Sequence, residues 1–321
     1  MGGGRAFRPR GRPLRNVNPG ADPRHAGPPP PAAIVEVRLD DEVTIPVRRY
    51  GNPNGPRLLL SHGNGLAIDL YYPFWSLFLD DFDVVVFDLR NHGENPPGAI
   101  ARHTVPTFCR DLEAVGQAVD RAFGMRPRAG VFHSVSCLAA LLSPSLEASY
   151  TALVLFEPAL SQGAGAARAS RLACRQAAVR TRNRAFRFQS PEEFVELMAA
   201  QPAMARLGPK ALRLMARTTL RKTAEGGWEL RCPPEYEARI LASIPDFAPL
   251  VAPDSLPLPV CVVGADPSLP HYFVPPCDLT GVASVDFRTV AETTHLAQLE
   301  APEECARLTV EILDRSGFSS G

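Results

Sequence analysis

The hydrophobic positions of this chain change period several times, and each change marks an element. Ile34, Val35, Val37 and Leu39, followed by Val43, Ile45 and Val47, predict two strands joined by a turn at Asp40-Asp41, which makes a hairpin. The runs Arg57-Leu58-Leu59-Leu60-Ser61 and Phe82-Asp83-Val84-Val85-Val86-Phe87 are continuously apolar and β-branched, the signature of strands covered on both faces. Between them the spacing predicts a helix over 70–79, with Trp75 and Phe78 as core anchors. Phe108, Leu112, Val115, Val119 and Phe123 recur at helical spacing over 104–123, and Gly124 stops that helix. Strands follow over 128–132, 152–156, 259–263 and 283–290, with a helix beginning at Cys137. A last helix over 302–313 opens on Pro302 with Glu303 and Glu304 in its first turn, where they suit the dipole.

Strands alternating with helices at this spacing predict an α/β fold: a mostly parallel eight-stranded sheet with helices on both faces and an antiparallel edge from the opening hairpin. The core comprises 34–158 and 256–318. Residues 159–255 interrupt the alternation and are helical in character. They read as a helical cap or lid inserted over the carboxyl ends of the strands, where ligands bind in open α/β sheets. Residues 1–33 are rich in Gly, Pro and Arg and read as a disordered tail, with an electrostatic tether to an anionic surface as the functional alternative.

Composition narrows the picture. At 321 residues and 45% hydrophobic, the chain is long enough for one large domain with an insertion. Formal net charge is zero, which argues against nucleic acid as a partner. The tail is nonetheless basic, with six arginines and a single acid up to Pro31. No run of 18 apolar residues exists, so no membrane span is expected. The tail's arginines precede no apolar segment and sit among Gly and Pro, so neither a secretory signal nor a transit peptide is expected. Seven cysteines form no CxxC pair and read as free thiols of a reducing, cytoplasmic compartment. The sequence sets no oligomeric state.

Four segments carry candidate chemistry. His295 lies on a loop between a strand and the final helix, where a triad hydrolase keeps its general base. Phe132-His133-Ser134-Val135-Ser136 takes a strand through a sharp turn into a helix. That turn lifts the Ser134 hydroxyl above the sheet and puts the Val135 N–H at a helix start, ready to meet a developing oxyanion. His133 beside it is grouped with the substrate-binding residues. In Leu60-Ser61-His62-Gly63-Asn64-Gly65 two glycines let backbone N–H groups face a ligand; Asn64 is the expected second oxyanion donor, with Gly65 in reserve. Asp266, in Gly264-Ala265-Asp266, is the expected acid partner of His295 because the interval to the histidine encloses one helix and one strand. Glu157, in Phe156-Glu157-Pro158, is the alternative acid. Asp88, Arg90 and His92 in Asp88-Leu89-Arg90-Asn91-His92-Gly93 read as a structural loop, with Asp88 paired to Arg90.

Taken together, these segments, with Thr294-His295-Leu296 and Pro302-Glu303-Glu304, resemble the α/β-hydrolase superfamily of the serine-nucleophile, cap-bearing type. The resemblance covers 34–158 and 256–318. It implies Ser134 as nucleophile, His295 as base, Asp266 as orienting acid, and oxyanion N–H groups from Val135 and Asn64. His62 and Asp88 would be structural residues beside the site. Two departures stand out: Phe132 occupies a position usually held by glycine, and the acid follows Gly264 by two residues rather than three. The implied activity is that of a serine esterase cleaving a small or medium ester, thioester or lactone through an acyl-enzyme. Alternatives are carbon–carbon bond hydrolysis, acyl transfer or perhydrolysis by the same triad, and a non-catalytic ligand-binding protein. The resemblance implies no cofactor and a small-molecule acyl substrate. The histidines lie on separate loops without metal-ligand spacing, so no metal is expected.

Smaller signals are read conservatively. Arg168, Arg171, Arg175, Arg180, Arg182, Arg184 and Arg187 fall in a stretch with no acid and read as a solvated cap surface, with an electropositive rim for anionic substrates as the functional alternative. Cys137 reads as a small buried helix residue, and Trp228 and Tyr236 as pocket-lining candidates.

Overall fold

A computed structural model describes residues 23–39, 43–160, 163–273 and 277–318. Eight strands form one sheet: β1 (Ala33–Arg38), β2 (Thr44–Gly51), β3 (Arg57–Leu60), β4 (Asp83–Phe87), β5 (Arg128–His133), β6 (Ala152–Phe156), β10 (Val260–Gly264) and β11 (Val285–Thr289). Their spatial order is β1-β2-β4-β3-β5-β6-β10-β11. β1 pairs antiparallel with β2, and β2 antiparallel with β4; all other neighbours are parallel. The sheet and its antiparallel edge are therefore as the hydrophobic pattern predicts. The turn expected at Asp40-Asp41 lies outside the described residues.

The central strands bury both faces because successive side chains point to opposite sides. Leu58, Leu60, Val84, Val86, Val131 and Val154 pack under α1 (Tyr72–Trp75) and α10 (Pro302–Arg315). Leu59, Val85, Phe87 and Phe132 pack under α2 (Val105–Phe123) and α3 (Val135–Leu141). Thr104 caps α2, its hydroxyl accepting from the Thr107 N–H. The helix expected over 70–79 is instead broken into a 3-10 turn at Ile68–Tyr71, α1, and a second 3-10 turn at Ser76–Phe78, while Trp75 and Phe78 are buried as expected. The short helices α4 (Leu146–Ser149) and α9 (Ala297–Glu300) complete the core.

Between β6 and β10 the chain leaves the sheet. Here lie α5 (Gly163–Arg182), α6 (Pro191–Ala199), α7 (Pro209–Thr219) and α8 (Pro234–Phe247), as the helical reading expects. It omits one feature. β7 (Arg187–Phe188), β8 (Leu220–Lys222) and β9 (Trp228–Leu230) form a small antiparallel sheet, too short to leave a period-two signature. Within the stretch 1–33 expected to be a disordered tail, Pro23–Ala26 form a 3-10 turn, and Arg24 donates to the Pro73 carbonyl and to Glu303. Residues 1–22 lie outside the described set. Among the described residues no helix is long and apolar enough to cross a membrane, and all seven cysteines are free and buried.

Candidate active site

β5 ends at His133, and α3 begins at Val135. The residue between them, Ser134, has φ 55 and ψ −116, a backbone state that side-chain-bearing residues rarely adopt. This strain is held in place by its surroundings: the Ser134 N–H donates to the Phe156 carbonyl on β6, and the Ser136 hydroxyl donates to the His133 carbonyl. The turn aims the Ser134 hydroxyl at His295, with Oγ 3.1 Å from Nε2. Phe132 fits without the usual glycine because its ring folds back over Gly130, which has no side chain to obstruct it, and packs edge-on against Tyr150.

The acid beside His295 is Glu157. It follows β6, is fully enclosed, and its Oε2 lies 3.2 Å from His295 Nδ1. Its second oxygen accepts the Ala265 N–H at 2.6 Å. A positive φ of 46 at Glu157 turns the side chain toward the histidine loop. The expectation for Asp266 is corrected. Its carboxylate accepts from the Ser268 hydroxyl at 2.6 Å, the Ser268 N–H at 2.9 Å and the Glu292 N–H at 2.8 Å, none of which is the imidazole. These bonds, that from the Ser268 hydroxyl foremost, hold its pKa down at about 2. Asp266 thus braces the loop that carries His295, and its N–H donates to the Thr293 carbonyl of that loop. Glu300 fixes the other side, accepting from the Thr294 N–H at 2.6 Å and the Thr294 hydroxyl at 2.5 Å.

The hydrogen-bond pattern sets the tautomer. Glu157 as a carboxylate only accepts, so Nδ1 of His295 carries the hydrogen and Nε2 offers a lone pair to the Ser134 hydroxyl.

The turn after β3 lies against Ser134. A side chain at Gly63 would meet His133 Nδ1 and the Ser134 Cβ. Of its three amides, Gly63 donates to the Tyr71 hydroxyl and Gly65 to His92 Nε2. Gly65 is therefore removed as a reserve oxyanion donor: its N–H is already spent. Gly65 has φ +76, a conformation that favours glycine, and it lies against the Glu237 carboxylate of α8. The Asn64 and Val135 amides find no acceptor among the described residues. Asn64 is further held by its side-chain amide, which donates to the Glu237 carbonyl. His133 is also reassigned. It is fully buried, with Nδ1 against the Tyr71 hydroxyl and Nε2 against the His295 carbonyl, so no face is left for a substrate.

The loop after β4 is structural, with one change of partner. Arg90 forms a two-pronged bond to Asp111, at 2.5 and 2.6 Å, rather than to Asp88. Asp88 instead accepts the Ile68 N–H at 2.7 Å and lies near Arg48. His62 donates from Nδ1 to the Gly63 carbonyl and accepts the Leu89 N–H at Nε2; burial lowers its pKa to about 4.

One cluster merits inspection as a metal site, because ligand atoms of His92, His103 and Cys232 all lie within 4.8 Å of one another. Both nitrogens of His92 are already engaged, by the Gly65 N–H and the Arg90 carbonyl. The Asn91 amide nitrogen faces His103 Nδ1 while the Asn91 oxygen accepts from Gly98, so the remaining His103 nitrogen carries hydrogen and offers no lone pair. The arrangement does not fit a metal. Tyr236 packs on His103 and donates to the Gly98 carbonyl, tying α8 to the core. Cys137 is buried, as expected of a packed helix residue. In α5, Arg171 pairs with Asp246.

The sequence reading passes over Tyr71. It falls in an aromatic run, Tyr71-Tyr72-Pro73-Phe74-Trp75, that reads only as core. Its hydroxyl, next to His133, gives it a second role.

A model of the alpha/beta hydrolase family matches residues 58–308. Many solved structures share the fold. An E-2-(acetamidomethylene)succinate hydrolase superposes with a TM-score of 0.70 at 16% identity, over 88% of this chain and 99% of its own. A thioesterase domain from the curacin biosynthetic pathway gives 0.66 at 18% identity, over 87% and 99%. The enol-lactonase of Burkholderia xenovorans gives 0.64 at 16% identity, over 87% and 100%. No curated protein sequence matches.

Proposed function

The chain belongs to the alpha/beta hydrolase family, and from that premise we propose that it is a serine hydrolase acting on a small or medium ester, thioester or lactone through Ser134, His295 and Glu157. The observation that carries this reading is the unbroken line from hydroxyl to imidazole to carboxylate, at 3.1 and 3.2 Å, starting from a strained serine. His295 takes the Ser134 proton as Oγ attacks the carbonyl carbon. The Val135 and Asn64 N–H groups receive the tetrahedral oxyanion. His295 then protonates the departing group, and water, deprotonated by the same imidazole, releases the acyl group. Glu157 keeps the imidazole in the required tautomer and stabilises the imidazolium. One oxyanion donor contributes on the order of 3 kcal/mol to such a step.

The acyl-transfer chemistry so written calls on no cofactor. Similar structures include a thioesterase domain and an enol-lactonase, which supports carbonyl substrates of this kind. Residues 159–255 act as the cap, since Glu237 of α8 lies directly against the oxyanion turn. The free, buried thiols support a reducing compartment such as the cytoplasm.

A fluorophosphonate probe tests the reading: Ser134 Oγ attacks phosphorus and fluoride departs. Labelling of the native protein that disappears in Ser134→Ala is the expected result. A folded protein that resists the probe and binds an acyl ligand without turnover is instead a binding protein.

A further inference from the structure

Behind the nucleophile lies a buried chain of hydrogen bonds that the acyl-transfer scheme does not use. The Gly63 N–H donates to the Tyr71 oxygen at 3.3 Å; the Tyr71 hydroxyl lies 2.6 Å from His133 Nδ1; His133 Nε2 lies 2.8 Å from the His295 carbonyl. The proton positions follow from the ends. A backbone carbonyl only accepts, so His133 Nε2 carries the hydrogen and its Nδ1 holds a lone pair. The Tyr71 hydroxyl therefore donates to Nδ1, and its oxygen is free to accept from Gly63. Each link thus points the same way, from the oxyanion turn to the base loop.

The members are locked in place. Tyr71 and His133 are both at most 2% exposed, and the rings of His133 and His295 lie 4.8 Å apart. Tyr71 is set by the 3-10 turn at Ile68–Tyr71, which is anchored at its start by the Ile68 N–H to Asp88 and by the Trp75 indole N–H to the Ile68 carbonyl. Burial holds the His133 pKa well below the ordinary histidine range, so the ring stays neutral and keeps one donor and one acceptor. The chain connects three parts of the site that are remote in sequence: the turn carrying Asn64, the elbow carrying Ser134, and the loop carrying His295.

We propose that Tyr71 and His133 form a positioning relay that sets the oxyanion turn and the His295 loop in register with the Ser134 hydroxyl. The proposal rests on the serine-hydrolase reading. Neither residue touches substrate; both act on the groups that do. Outer-layer partners of metal-ligating histidines cost about 10- to 100-fold when lost, and a loss of that order is expected here by analogy.

The experiment compares second-order fluorophosphonate labelling rates and thermal midpoints for the wild type, Tyr71→Phe, His133→Gln and His133→Asn. Glutamine places an amide N–H near the position of the ring Nε2 and keeps the bond to the His295 carbonyl. Asparagine places one near Nδ1 and loses that bond. The expected result is labelling reduced about 10- to 100-fold in Tyr71→Phe at temperatures well below its thermal midpoint, which falls because the buried Gly63 N–H and His133 Nδ1 lose their partner, and His133→Gln faster than His133→Asn. With an ester the wild type turns over, kcat falls while KM stays near its native value. Tyr71→Phe labelling at the native rate overturns the relay. If Tyr71→Phe does not fold, equal rates for the two His133 variants overturn it. A wild type that is never labelled defeats the hydrolase reading itself, which is a separate outcome.

Discussion

Replacing Glu157 by glutamine changes one atom and reverses the logic of the base. Glu157 Oε1 accepts the Ala265 N–H, so a glutamine at this position keeps its oxygen there and turns its NH2 group toward His295 Nδ1. That group can only donate. It drives the imidazole into the tautomer with hydrogen on Nε2, which cannot take the Ser134 proton. The lost attraction can be sized. With charges 3.2 Å apart, as between His295 Nδ1 and Glu157 Oε2, an imidazolium and a carboxylate at an effective dielectric constant of about 20 attract by about 5 kcal/mol. At 1.36 kcal/mol per tenfold, Glu157→Gln is expected to slow the chemical step by about three to four orders of magnitude. The assay is the labelling rate with a fluorophosphonate, repeated as hydrolysis of an activated ester, with thermal denaturation to show that the fold persists. Asp266→Asn is the internal control and is expected to lose far less than Glu157→Gln, because Asp266 braces the loop backbone and Ser268 rather than bonding the imidazole. The reverse pattern, with Asp266→Asn crippled and Glu157→Gln nearly intact, refutes the reasoning.

Other outcomes follow from packing and burial. Gly130→Ala pushes a methyl group into the Phe132 ring and Leu153, and is expected to destabilise the fold by about 1–3 kcal/mol, read from the urea midpoint. Arg90→Ala removes the two-pronged bond to the buried Asp111 carboxylate and is expected to cost about 3–5 kcal/mol by the same measurement. Burial depresses the pKa of His62 to about 4 and of His92 to about 3 in the folded state, below the ordinary 6.5. The unfolded chain therefore binds these protons first. Their contribution is fully present above pH ~6.5 and is lost progressively as pH falls toward the folded values, so urea midpoints should drop steadily between pH ~6.5 and ~4. A flat profile across that window would contradict the neutral, buried state of these rings.

Much of this site is legible from sequence because it depends on local pattern. A continuously apolar strand feeding a tight turn and then a helix places Ser134 and Val135 without tertiary information, and the same holds for the loop that carries His295. The acid is different. In the sheet β6 lies between β5 and β10, so the loops after β6 and β10 both end near the base. What decides between them is the positive φ of Glu157 and the Ala265 amide that holds its second oxygen, neither of which a one-dimensional reading contains. The Gly65 amide is misjudged for a related reason: glycine shows that the backbone can approach something, and only packing shows that the something is His92. Arg90 likewise finds its partner 21 residues away on α2 rather than two residues back. The three-stranded sheet of the insertion escapes because two- and three-residue strands have no period to detect.

The position of Glu157 has a consequence for recombination. One residue later, at Pro158, the polypeptide departs on its long excursion before rejoining the sheet at β10. A chimera that borrows this excursion from a relative must place its upstream joint beyond Pro158. On the reading proposed above, cutting at the end of β6 would swap Glu157 along with the excursion, and the graft would inherit Ser134 and His295 without the carboxylate that faces the imidazole.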